Sequence, residues 1–257
     1  MAELGRYIYC IIPCQEERSF DIAGMGNNGS LVHTVSRKGL AAVVSDTLVK
    51  QYESTRSNMM AHERVLEKII SETDLLPVRF GTVADSNYSA EDIKRLLSIR
   101  ADEFHSLLEE IKGKVELGVK AFWRDEKVIF EEIVAENPDI RKLRDSSIGK
   151  SPETIHFELI RLGEMIEDAL KSKRAKEASQ ILSPLRQLAC STRENQVLAT
   201  RIIVNAAFMV DKAREAKFDQ AVNKLDKQLG KRIAIKYVGP VPPYNFVNIV
   251  VNWQELK

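Results

Sequence analysis

The chain has 257 residues, with 38 Lys and Arg against 37 Asp and Glu, a formal charge of +1 that excludes a global field drawing it onto nucleic acid or an anionic membrane. Its 44% hydrophobic and 29% charged residues describe a folded protein of one large or two medium domains. No apolar run reaches the ~18 residues of a spanning helix, the opening MAELGRYIYCIIP lacks the marks of a signal peptide, so a cytosolic protein is expected, and Cys10, Cys14 and Cys190 argue against a disulfide framework or zinc site.

Taken in chain order, Tyr7 to Ile12 is a continuous apolar run closed by Pro13, the pattern of a central strand covered on both faces. Cys14 to Ser30 is polar and, at Gly24 to Ser30, glycine-rich, and reads as a loop. It has no GK[ST] to make it a phosphate cradle. Leu31 to Ser36 and Leu40 to Ser45 predict a hairpin turning on Arg37, Lys38 and Gly39. The chain is organised around Asn58 to Val83. Met59, His62, Leu66, Ile69 and Ile70 share a helix face, and Leu75 to Val83 then switches to period two, a strand with Leu76, Val78 and Phe80 inward and Arg79 outward.

Ser89, with Asp92 at the capping-box position, starts a second helix whose stripe from Ile93 to Ile111 is expected to lie beside the first on one sheet face. Val115 to Trp123 alternates as a further strand, with Glu116 and Lys120 as a solvated pair. These elements predict a modified ferredoxin-like α+β sandwich over residues 1–124. Residues 125–257 predict a second α+β domain enlarged by helices, although a boundary near Gly149 is nearly as defensible. There Asp125, Asn137-Pro138 and Ser151-Pro152 open helices, KSKRAK at Lys171 to Lys176 ends or bends one, and Gln187 to Thr192 and Arg201 to Val210 are strands. Asp211 caps a helix closed by Gly230, Arg232 to Val238 alternates, and GPVPPY leads into a last strand, Phe246 to Val251.

The chemistry-bearing motifs are missing: no GxSxG, HExxH, Walker loop or Rossmann glycines occur, and none of the four histidines has a metal-like partner at helical spacing. No catalytic, cofactor-binding or metal-ligating residue is therefore assigned. His62, on an apolar stripe, reads as a hydrogen-bonded core histidine. Three residues are candidates for contact with a partner. Arg79 is a charge in a buried-looking strand, open to two readings, an ion pair with Glu63 or Glu67 or a contact on an interaction face. Tyr244 and Phe246 are aromatics beside stiffening prolines, where a rigid turn is the competing reading.

Four stretches, MAHERVLEKI into LLPVRFGTV, KVELGVKAFW, VNAAFMVD and GPVPPYNFV, resemble the GvpF/GvpL family of gas vesicle proteins. YIYCIIP agrees with an aromatic strand before a proline, while Cys14 to Ser30 and Pro138 to Lys150 match no motif of the family. The even charge and lack of an acidic tail lean towards the F branch. The resemblance implies a non-catalytic accessory or minor structural protein of the gas vesicle, found there and otherwise in the cytoplasm. It would bind the hydrophobic shell protein, and other gas vesicle accessory proteins, during assembly. It implies no cofactor, nucleic acid or lipid membrane as partner. The alternative, from another class, is a ferredoxin-like small-molecule-binding regulatory or catalytic protein, which a thermal-shift screen with nucleotides, metals and metabolites would reveal.

Overall fold

A computed structural model describes residues 4–25, 30–48, 51–84, 90–151 and 155–256. The expected N-cap Ser89, the centre of the glycine-rich loop and Pro152 of the expected helix start lie outside these residues. The chain forms two compact units. One comprises residues 1–116 together with 239–257, and the other is continuous from 117 to 238. The division differs from the expected 1–124 and 125–257 in two places: the internal boundary falls at 116/117, and the last segment returns to the first unit.

In the first unit, β1 (Gly5–Pro13), β2 (Ser19–Ala23), β3 (Leu31–Arg37) and β4 (Leu40–Thr47) precede α1 (Arg56–Ile70). β5 (Leu76–Pro77), β6 (Val83–Ala84), α2 (Ala90–Ile99) and α3 (Ala101–Ile111) follow. The sheet order is β2-β3-β4-β1-β5, with β6 also on β1. Its hairpin turns where the sequence places it, with Lys38 at φ 53° and Gly39 at φ 75°, the left-handed pair that matches strand twist. The stretch read as a plain loop after Cys14 contains β2, whose Phe20 is buried against β1 neighbours and α1. From Tyr7 to Ile12 every residue of β1 is fully buried, so both faces are covered. Tyr7, Tyr9, Cys10 and Ile12 share one core with Val65, Leu66 and Ile69 of α1. No residue of α2 or α3 joins that core, and these helices pack on β3, β4 and β1 from the other face rather than beside α1. The single stripe expected from Ile93 to Ile111 is also divided, at Arg100.

The expected strand from Leu75 to Val83 is interrupted. β5 pairs with β1 at Ile11 and Cys10, β6 pairs with β1 at Tyr7 and Arg6, and the chain bulges out between them. Gly81, at φ 82°, makes the turn, Thr82 Oγ1 donates to the Arg79 carbonyl at 2.7 Å, and the Gly81 N–H donates to the Tyr7 hydroxyl at 3.0 Å. The bulge leaves Arg79 exposed and Phe80 half-buried.

In the second unit, β7 (Lys114–Trp123), whose first three residues belong to the first unit, leads to α4 (Glu126–Glu136), α5 (Pro138–Ser147), α6 (His156–Arg186), β8 (Ser191–Glu194), β9 (Ile202–Asp211), α7 (Glu215–Leu229) and β10 (Ile233–Val241), whose last three residues belong to the first. The sheet order is β10-β7-β9-β8, so β7, expected to complete the first sheet, belongs to this one. Asp125 caps α4 through Lys127 N–H at 2.9 Å, and Pro138 occupies the first turn of α5. The basic run does not break α6, which continues to Arg186, with Lys173 turned onto Glu132 and Glu136. Near the start of α6, Phe157 and Leu159 are exposed. A 3-10 turn, Lys212–Arg214, separates Asp211 from α7, so Asp211 does not cap it. Gly230 ends α7 at φ −61°, not in the left-handed region.

Candidate functional site

Within the first unit, three separate stretches enclose an open cleft of about 320 Å³. α1 supplies Met59, His62 and Glu63, the bulge supplies Pro77 to Phe80, and the returning C-terminal segment supplies Tyr244, Val247, Asn248 and Ile249. The strand expected from Phe246 to Val251 does not form. Ile249 makes a single parallel bridge to Val78, supported by Arg79 N–H donating to the Ile249 carbonyl at 3.3 Å. The segment is held instead by its own prolines, with Val247 N–H donating to the Pro243 carbonyl at 2.8 Å. It is also held by Glu116, which is not in a solvated pair with Lys120 but 2% exposed, its carboxylate accepting from Asn245.

The cleft is apolar beneath and polar at its edge. Val78, Val247 and Ile249 are buried, and Phe80 and the His62 ring meet at 5.6 Å, nearly perpendicular. His62 is 2% exposed, its Nδ1 lies 3.0 Å from the Tyr7 hydroxyl, and its ring stacks on Tyr9, so it is the hydrogen-bonded core histidine the sequence predicts. Burial lowers its pKa to about 4, which keeps the ring neutral. Burial also raises the Glu63 carboxyl, with the Tyr244 hydrogen bond opposing and Glu67 adding to the rise. The Tyr244 hydroxyl donates to Glu63 Oε1 at 2.8 Å, and burial first, then the Glu63 charge, holds that hydroxyl far above its ordinary range. These groups can bind and orient a neighbour.

Of the three candidate residues, the structure brings Arg79 and Tyr244 to this cleft, while Phe246 is half-buried beside it and does not line it. Arg79 takes neither Glu63 nor Glu67 as a partner, and its side chain makes no ion pair or hydrogen bond among the described residues. Sequence reading missed Val247, Asn248 and Ile249. Their only signal is position, just after the prolines of GPVPPYNFV.

The second unit holds a cavity of about 530 Å³ beside an ion-pair cluster. Arg232 grips Glu132 at 2.6 and 2.7 Å and Glu177 at 2.8 Å, Lys173 reaches Glu132 at 3.0 Å, and Trp123 Nε1 donates to Glu177 at 2.6 Å. These hydrogen bonds, Arg232 first and Lys173 after it, lower the Glu132 carboxyl to about 2. Its charges match each other, as in a cluster that ties α4, α6 and β10 together. Among the described residues no group of three or more His, Cys, Asp or Glu gathers as metal ligands would, and no helix is long and apolar enough to cross a membrane.

Residues 5–248 match the family model of the gas vesicle synthesis protein GvpL/GvpF. The chain belongs to the GvpL/GvpF family. Gas vesicle protein F of Nostoc sp. (strain PCC 7120) is 28% identical over 247 residues, covering 95% of this chain and 98% of that protein. Gas vesicle protein L1 of Halobacterium salinarum is 24% identical over 263 residues, covering 94% and 90%. The crystal structure of GvpF from Anabaena sp. PCC7120 superposes with a TM-score of 0.80 at 28% identity, covering 96% of this chain and all of that one. GvpF from Microcystis aeruginosa gives 0.78 at 26% identity. The α+β architecture read from the sequence is that of GvpL/GvpF proteins, and two of the four stretches that carry the resemblance, MAHERVLEKI into LLPVRFGTV and GPVPPYNFV, meet in the cleft.

Proposed function

We propose that this gas vesicle protein is a non-catalytic assembly component that binds the hydrophobic shell protein before or as it polymerises, working at the vesicle and otherwise in the cytoplasm. The reading is supported by one observation above all: RFGTV and GPVPPYNFV, far apart in the chain, close on one open cleft with an apolar floor. A shell subunit awaiting assembly exposes apolar faces and strand edges that aggregate unless covered. A shallow apolar cleft with polar groups at its edge provides such cover reversibly. Other accessory proteins of the vesicle are further partners in the same reading, whereas the even net charge supplies no attraction to nucleic acid or lipid.

The test is co-purification of the shell protein with the full chain and with Tyr244→Ala. Tyr244 is 38% exposed and its hydroxyl donates to Glu63 at the edge of the cleft, so the variant is expected to melt near the parent while retaining less shell protein and lowering vesicle yield. A variant that retains shell protein as the parent does removes Tyr244 from the contact. A parent chain that never retains it removes the reading.

A further inference from the structure

The inference rests on the reading that this chain binds a partner protein, and it names the chemistry of what the cleft in the first unit takes. The floor is set by Val78 and Ile249, each 1% exposed, and Val247, 4% exposed, with Pro77 and Phe80 as wall, so a charged side chain has no place at the bottom. The rim carries charge. Glu63 is already occupied by the Tyr244 hydroxyl at 2.8 Å. Arg79 stands exposed with no ion pair or hydrogen bond from its side chain among the described residues. Glu63 keeps its carboxylate beside the neutral hydroxyl, so Arg79 is the charged group at the rim left without a partner among the described residues, and its guanidinium presents a planar fork suited to a carboxylate. Asn248, also exposed on the rim, carries an amide that both donates and accepts, as a passing peptide backbone requires. Met59, 47% exposed, adds a flexible apolar edge that adapts to differing side chains.

We propose that the cleft takes a segment of a partner protein that sets aliphatic or aromatic side chains on Val78, Val247 and Ile249 and a carboxylate against Arg79. At about 320 Å³ it admits a few side chains, not a folded surface, so the occupant is a short stretch of chain with an acidic residue beside apolar ones. Specificity comes from the charge at the rim, since the floor treats one apolar side chain much like another.

The full chain is probed with immobilised short peptides of Leu, Ile, Val and Phe carrying either one Glu or one Lys, and with decanoate as a free carboxylate of similar polarity. Co-purification of the shell protein is measured separately. The Glu peptides are expected to be retained and the Lys peptides not. Arg79→Glu should reverse that preference by about tenfold or more, while melting within about 2 °C of the parent because Arg79 is exposed. Equal retention of Glu and Lys peptides, or a preference that Arg79→Glu leaves unchanged, overturns the proposal. So does decanoate binding in place of the peptides, and so does a dimer of this chain that Arg79→Glu dissociates, which would make a second copy the occupant. Shell protein held equally well by parent and Arg79→Glu keeps the proposed function and overturns this inference. Peptide selection by Arg79 without retention of shell protein keeps the inference and gives it a different partner.

Discussion

The Glu116 carboxylate holds Asn245 at two points, accepting from its backbone N–H at 2.9 Å and from its side-chain amide at 2.5 Å. Glu116 is 2% exposed, and burial raises its pKa against the opposing effect of those two bonds. It thus anchors the residue next to Tyr244 with a carboxyl group that the fold keeps from water.

Asn245→Ala is accordingly expected to cost about 1–3 kcal/mol, because it strips a buried carboxylate of one of its two donors. Denaturant unfolding measures the loss. A change below a few tenths of a kcal/mol would mean that Glu116 finds another donor.

His62 makes stability depend on pH. Its folded pKa, about 4, lies below the ordinary 6.5, so the unfolded chain binds the proton first. Stability from this group is complete above pH 6.5 and is lost as pH falls towards 4, a total of about 3 kcal/mol. Glu63 and Glu116, whose carboxyls burial raises, act with the opposite sign at the acid end. Comparing the pH dependence of the parent with that of His62→Gln isolates the histidine, and parallel curves would remove it from the account.

Phe80 reads in sequence as a core residue of an unbroken strand, for which Phe80→Ala would cost about 3–5 kcal/mol. The structure places it half-buried at the edge of the aromatic cluster, 6.4 Å from the Tyr7 ring. About 2 kcal/mol is therefore expected, against about 3–5 kcal/mol for Phe104→Ala, which is fully buried. Equal losses in chemical denaturation would restore Phe80 to the core.

Arg232→Met should leave Glu132 and Glu177 facing each other with less compensation, at a cost of about 1–2 kcal/mol after allowing for their partial exposure. In the parent, Glu132 contributes stability that is present above the ordinary carboxylate range and lost as pH falls towards 2. The variant should show a shallower acid-side slope in a pH series of melting curves, the remainder coming from Lys173.

What the sequence reveals here is local. The hairpin at Lys38-Gly39, the Asp125 cap and the Pro138 helix start all follow from neighbours within a few residues, and the structure has each of them. What it conceals is long-range. The strand through Arg79 breaks because the Gly81 N–H finds the Tyr7 hydroxyl. Glu116 looks solvated by alternation, yet its partner is Asn245 near the far end of the chain. VNIVV has the composition of a strand, but with one bridge at Ile249 it has no ladder to join. The site was legible as two motifs, RFGTV and GPVPPYNFV. That they face each other was not, since no periodicity reports a return of the chain to its first unit.

That return bears on how the protein is made. Because residues 239–257 belong to the first unit, the unit cannot be completed while the ribosome is still producing 117–238. Domains ordinarily fold in the order they emerge, N-terminal first. Here the continuous unit is the first to possess all its residues, and Tyr244, Val247 and Ile249 reach Val78 only afterwards. Until they do, the cleft is a half-built wall around Val78 and Phe80, so a nascent chain has nothing finished with which to hold a partner, and translation itself sets folding ahead of binding.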